Sequence, residues 1–199
     1  MIAILDDPAI RHSVAPLTPA AYRHLAEHGL ISERTELIEG VVVEKMSKSP
    51  RHSAVVTLLT RILSQALPAT FSVRTEQPLS IGNSEPEPDI AVVVGDPSSM
   101  HFEHPAHAEL IIEVALSTVE LDRQKAAIYA AAGIPHYWIV NLRDRQIESF
   151  QAPAGNSYRE MRLFQSGKVE LWPGIAIEFE QLIPALTGKG SPMSEVSGE

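Results

Sequence analysis

The chain contains no cysteine. That absence excludes disulfide frameworks, thiol nucleophiles, iron-sulfur clusters and cysteine-ligated zinc. Long apolar runs are missing as well: no stretch approaches the roughly 18 apolar residues needed to span a bilayer. The leading MIAILDDPAIRHS has neither the basic start nor the extended apolar core of a secretory signal. A cytoplasmic protein with no membrane partner is therefore expected. Basic residues are scarce, with 16 Lys plus Arg against 25 Asp plus Glu and a net charge of -9 over 199 residues. Sequence-independent binding of nucleic acid works by neutralising phosphates with Lys and Arg, so this balance argues against it. What the chain does have is a hydrophobic content of 44%. A chain of this length can bury about 70% of its unfolded surface and needs no disulfide or structural metal.

The acid is unevenly spread. Residues 61–140 hold 4 basic and 10 acidic residues, a net of -6, while the segments before and after carry only -1 and -2. A solvated acidic face and a carboxylate cluster awaiting a cation are both consistent with this.

Periodicity and punctuation predict the elements. Residues 1–16 lack a period and end at Pro16, so they are read as a lead, and one domain is expected over 17–187. Thr18 and Pro19 open a helix that Gly29 stops. LIEGVVVEKM is a strand pair or a bulged strand bent at Gly40 and ended by Pro50. His52 to Ala66 follows the helical period without Gly or Pro. Phe71 to Ile81 alternates as a strand. DIAVVV and ELIIEV read as strands covered on both faces, separated by a Pro- and His-containing connector at 95–108. Val119 to Ala132 is helical and closed by Gly133. HYWIVNL is a buried strand, and DRQIESF and SYREMRLF form a hairpin across Pro153–Gly155. The tail 188–199 is small and polar and is expected to be disordered. The fold class is α/β or α+β, a central mixed sheet flanked by helices.

Asp89 opens one apolar strand and Glu113 ends the next, so antiparallel pairing would bring both carboxylates to one end of the sheet. Buried carboxylates are costly unless paired or bound to a cation, and two side by side repel. Hard divalent ions suit such oxygens. The competing possibility is that Asp89 caps a turn while Glu113 pairs with Arg123 or Arg74. Asp122, Lys125 and Tyr129 share one helix face that could look back at the same end. There, a lysine would stabilise charge accumulating on a phosphate. An ordinary surface pair between Asp122 and Lys125 is the alternative.

PEPDIAVV, LIIEVALST, D-R-Q-K with a tyrosine four residues later, and AGIPHYWIVNL together resemble the bacterial "Uma two" endonuclease family, of the PD-(D/E)XK restriction-endonuclease-like fold. LTPAAYRHLAEHGL, RTELIEG and VVEKMSKSPRH extend the resemblance over residues 17–183. It implies a sheet whose acidic end binds Mg²⁺ or Mn²⁺ for hydrolysis of DNA phosphodiester bonds. Asp89 and Glu113 match the motif acids, the Val114 carbonyl would be a third protein ligand, and Glu39 or Glu36 an additional acid. The motif lysine is displaced: Ala115 stands where it is usual, and Lys125 on the next helix matches instead. Asp122 lies one residue closer to Lys125 than the family pattern places it. The related folds also suggest a homodimer.

KMSKSPRH is the only concentrated basic stretch, so Lys48, Arg51 and His52 are candidate substrate contacts; an ordinary loop and a helix cap are the alternatives. His101, His104 and His107 are spaced as on a helix, but Pro105 breaks it. Tyr137 and Trp138 read as core. Three functions stand open: a metal-dependent endonuclease, a catalytically weak nucleic-acid- or partner-binding module of the same fold, or hydrolysis of another phosphate ester at the same site.

Overall fold

The computed structural model describes residues 13–184. Most of the lead and all of the polar tail lie outside the described residues.

Helix α1 (Pro19–Glu27) begins at Thr18, whose side chain accepts from the Ala21 amide. It is fastened to the next element by Tyr22, whose hydroxyl donates to the Thr35 carbonyl at 2.9 Å. Strands β1 (Thr35–Ile38) and β2 (Val41–Glu44) form an antiparallel hairpin. Both of its turn residues are left-handed, Glu39 at φ 49° and Gly40 at φ 80°, the geometry that matches the twist of a two-residue hairpin. Gly40 is also sterically required, because a Cβ there would lie 2.3 Å from Pro16 Cβ.

Pro50 does not merely end the preceding segment. It occupies the first turn of α2 (Pro50–Ala66), where a missing N–H costs nothing, and Ser49 caps the helix by accepting from the His52 amide. Strand β3 (Phe71–Thr75) is shorter than the alternation predicts. Glu76 takes φ 53° and turns the chain, leaving Ile81 only an isolated bridge to Ser84.

The central sheet adds β4 (Ile90–Val94), β5 (Leu110–Ala115), β6 (His136–Asn141), β7 (Gln146–Ala154) and β8 (Ser157–Phe164), in the spatial order β3-β4-β5-β6-β7-β8. Every neighbouring pair is antiparallel except β5 and β6. Those two are parallel and require a crossover, which α3 (Val119–Ala131) supplies. The β7–β8 turn falls at Gly155 and Asn156, since Ala154 pairs with Ser157.

Sheet alternation builds two cores. On one side Val92, Ile112, Trp138 and Ile147 meet Val55, Leu59 and Leu63 of α2. On the other, Ala91, Ile111, Tyr137 and Ile139 pack with Tyr129 of α3. Each Val, Leu or Ile among them contributes about 1.5–3 kcal/mol by leaving water. No element is expected between Phe164 and the tail, yet a second hairpin, β9 (Lys168–Trp172) with β10 (Ile175–Glu178), and a short helix α4 (Phe179–Leu182) close the first core with Val169, Leu171, Ile177 and Phe179. Trp138 is buried and stacks on Phe164 at 6.1 Å. Among the described residues no helix is long and apolar enough to cross a membrane.

Candidate active site

Ile90 faces Ile112 across β4 and β5, so the next residues outward, Asp89 and Glu113, stand side by side. The Asp89 amide donates to Glu113 Oε2 at 3.2 Å, and the Val114 amide donates to Asp89 Oδ2 at 2.8 Å. Both carboxylates are buried, and three further elements converge on them. From α3, Lys125 Nζ lies 3.2 Å from Glu113 Oε1 and 3.8 Å from Asp122 Oδ1, and the Tyr129 hydroxyl donates to Glu113 Oε1 at 3.2 Å. From β1, Glu36 Oε1 sits 2.8 Å from the same Lys125 Nζ. From the first turn of α2, His52 Nε2 lies 3.0 Å from Asp89 Oδ2. Thr118 donates to Asp122 Oδ2 at 2.7 Å, and the Glu87 amide donates to Glu36 Oε2 at 3.2 Å.

Three carboxylates around one ammonium, with Asp89 beside Glu113, make an acid-rich, buried cluster. Burial pushes the Glu113 carboxyl up to about 8; Lys125 opposes this, while Asp122, Asp89 and Glu36 add to it. Asp122 is raised to about 6, again chiefly by burial, with Lys125 and the Thr118 hydroxyl pulling the other way. For Lys125, burial acts to lower its affinity for the proton, but Glu113, Glu36 and Asp122 outweigh it and hold the ammonium charged. The cluster forms the inner wall of a cavity of about 540 Å³ whose outer lining includes Arg34, Glu44, Lys45, Lys48, Glu76 and Glu87.

Residues 20–184 match the model of the Uma2 family, described as "Putative restriction endonuclease". The chain belongs to the Uma2 family. No curated protein matches it. Among solved structures, "a putative nuclease belonging to DUF820 from Anabaena variabilis ATCC 29413" superposes with a TM-score of 0.67 at 15% identity, covering 84% of this chain and 97% of that one. At that identity the likeness concerns the fold, a central mixed sheet flanked by helices.

Of the residues singled out in the sequence, Asp89, Glu113, Val114, Lys125, Asp122, Tyr129, Glu36 and His52 are brought together in this Uma2 chain. Glu39 is not. It stands on the left-handed β1–β2 turn, its amide bound by Ser84 Oγ, and lines a separate depression with Ile81 and Ala127. Of the two acids in TELIEG, only Glu36, within β1, reaches the cluster; Glu39 lies on the left-handed turn that follows. Lys48 lines the cavity but pairs with Glu76 at 2.6 Å, and Lys45 pairs with Glu87. The two lysines of the stretch that looks purely basic in sequence are thus neutralised by acids from the β3–β4 connection. Arg51 is not among the residues lining the cavity. The alternative partners for Glu113 are engaged elsewhere: Arg123 forks onto Glu148 at 2.7 and 2.9 Å, and Arg74 donates to the Pro78 carbonyl. Asp122 and Lys125 form a buried pair, not a surface one. His107 lies 3.7 Å from Glu109 on the connector before β5.

Sequence reasoning missed Thr118, Glu87 and Glu76 at the site, and the contact of His52 with Asp89. A Thr four residues before Asp122 is a local signal for the first. The others are contacts between distant segments, for which the sequence carries no local signal.

The oxygen-rich donor set suits a hard divalent cation: none of the bonds above uses Asp89 Oδ1, and the Glu113 carboxyl stands beside it. Among the described residues no three His, Asp or Glu side chains are grouped as a ready-made metal cage; Lys125 Nζ takes the central place among the acids.

Proposed function

We propose that this Uma2 protein is a divalent-metal-dependent nuclease that hydrolyses DNA phosphodiester bonds at the Asp89–Glu113 end of the sheet. The observation that carries the reading is the convergence of Asp89, Glu113 and Lys125 at the inner wall of an open cavity, in the fold of a nuclease family. Asp89 and Glu113, with the Val114 carbonyl, would hold Mg²⁺ or Mn²⁺. Such an ion supplies Lewis acidity and a more acidic bound water. The protein's own groups do the rest. Lys125 presents a fixed positive charge toward a scissile phosphate as negative charge builds on it. Glu36 and Asp122 hold that ammonium in place and keep it protonated. His52 and the Val114 amide fix Asp89 Oδ2, which leaves Oδ1 as the oxygen turned to other work. Tyr129 and the Asp89 amide orient Glu113. Lys48 and Lys45 meet the incoming strand by exchanging Glu76 and Glu87 for phosphates.

That last exchange also favours a second reading, a catalytically weak nucleic-acid- or partner-binding module, because Lys45 and Lys48 at the cavity mouth already carry acid partners and would have to give them up to hold a polyanion. Cleavage assays on single-stranded, duplex and branched DNA with Mg²⁺ and Mn²⁺, using Asp89→Ala as control, distinguish the two. Metal-dependent cleavage lost in the variant supports the nuclease. Cleavage that survives in the variant places the chemistry elsewhere, and binding without cleavage leaves the module.

A further inference from the structure

The last strand of the central sheet, β8 (Ser157–Phe164), is eight residues long and, among the described residues, pairs on one side only, with β7. It is exposed at Arg159 through Leu163, including two large apolar side chains, Met161 at 56% and Leu163 at 50% exposure. A long edge with unpaired N–H and C=O groups is a template for another strand, and proteins that keep such an edge free guard it with edge charges, bulges, prolines or inward charges; the edge charges of β8, Arg159, Glu160 and Arg162, are of both signs and can complement one another. In β8 there is no proline, and the register with β7 runs without a shift.

The sequence of the edge indicates which strand it fits. In an antiparallel pair, facing residues both turn their backbone groups toward each other or both away. Two copies of one strand can therefore pair only about a residue, never between two. Of the centres available in β8, Met161 alone sets opposite charges against each other. It places Glu160 across from Arg162 of the second copy, and the reverse pair follows by symmetry. Centres on Glu160 or Arg162 would oppose like charges. In the single chain these two side chains pair with each other along the strand, at 3.4 Å, and both are more than half exposed. Met161 would face its own copy, and each Leu163 the aliphatic part of an Arg159, covering the apolar surface that the single chain leaves in water.

We propose that the β8 edge is a self-complementary interface that pairs with a second copy of this chain, antiparallel and centred on Met161, joining the two six-stranded sheets into one. The pairing is isologous and closes at two copies.

The test is sedimentation of the full chain across a concentration series, with charge variants. The wild type should sediment as a monomer–dimer equilibrium. E160R and R162E each turn both attractive cross-strand pairs repulsive and should weaken the dimer about tenfold or more. An equimolar mixture of the two variants should form a heterodimer, because every facing pair is then opposite in sign, and the double exchange E160R/R162E should restore the homodimer. Restoration cannot come from a misfolded variant. A wild type that stays monomeric at all concentrations overturns the proposal, as do single variants that dimerise like the wild type. Growth beyond two copies would mean a heterologous contact with another edge and overturns it too.

Discussion

Lys125 Nζ lies 2.8 Å from Glu36 Oε1, so the ammonium of α3 and a carboxylate of β1 form a buried pair at the end of the sheet. Neither partner is more than 5% exposed. A pair this dry stands only while both charges are present, because removing one leaves the other buried and uncompensated. Lys125→Met should therefore cost about 3–5 kcal/mol at neutral pH. The loss should shrink at pH 5, where Asp122 joins Glu113 in carrying a proton. Urea unfolding at the two pH values checks both expectations; equal losses would refute the electrostatic account.

Glu113 gives the metal-free chain a pH dependence with a definite sign. Its carboxyl is raised in the folded state from 4.5 to about 8 by burial, helped by Asp122, Asp89 and Glu36 and opposed by Lys125. The folded chain keeps a proton that the unfolded chain releases, so it binds more protons across that window. Stability contributed by this group is complete below pH 4.5 and is lost as the pH rises toward about 8. The slope is at most about 1.4 kcal/mol per pH unit. Urea titrations in EDTA should show the decline, and Glu113→Gln should flatten it. A wild-type profile that climbs over the same interval would contradict the assignment.

Arg123 and Glu148 fasten α3 to β7, and the pair is lopsided. Glu148 is fully buried and also accepts from Asn141 and Gln146, whereas the Arg123 side chain is 42% exposed. Arg123→Met leaves a carboxylate buried against two amides; Glu148→Gln leaves a guanidinium that can turn to water. The first should therefore destabilise more than the second, by about 1–2 kcal/mol. Paired denaturation curves settle the order.

Much of this arrangement is legible in the sequence because it rests on local rules. Asp89 and Glu113 flank two apolar runs, and once those runs pair antiparallel the acids must meet. Asp122, Lys125 and Tyr129 follow helical spacing to one face. Glu36 and Glu39 show where local rules stop: both are acids of one short motif, and only the left-handed turn at Glu39 and Gly40 decides which one faces the cluster. The basic stretch misleads for a related reason, since Glu76 and Glu87 neutralise it from a segment some thirty to forty residues away and no spacing rule links them. The β9–β10 hairpin is different, because Val169, Leu171, Ile175 and Ile177 do alternate around Pro173 and Gly174, a signal present in the sequence and not used.

A divalent cation at Asp89 and Glu113 would compete with Lys125 for Glu113, and that competition separates metal binding from catalysis. Binding to the folded chain alone stabilises it by about 1.4 kcal/mol at ten times the dissociation constant, so Mn²⁺ should raise the melting temperature of the wild type and do so far less for Asp89→Asn. Lys125→Met removes the competing ammonium while sparing both acids. It should bind Mn²⁺ more tightly than the wild type, and regain with metal part of the stability it loses without it, yet cleave no DNA because the charge facing the phosphate is gone. Glu39→Gln, altered on a turn outside the cluster, should match the wild type in melting, metal response and cleavage. Calorimetric titration with Mn²⁺ alongside the cleavage assay reads all four proteins. Weaker metal binding in Lys125→Met would mean that the ammonium helps to build the site and does not contend for it.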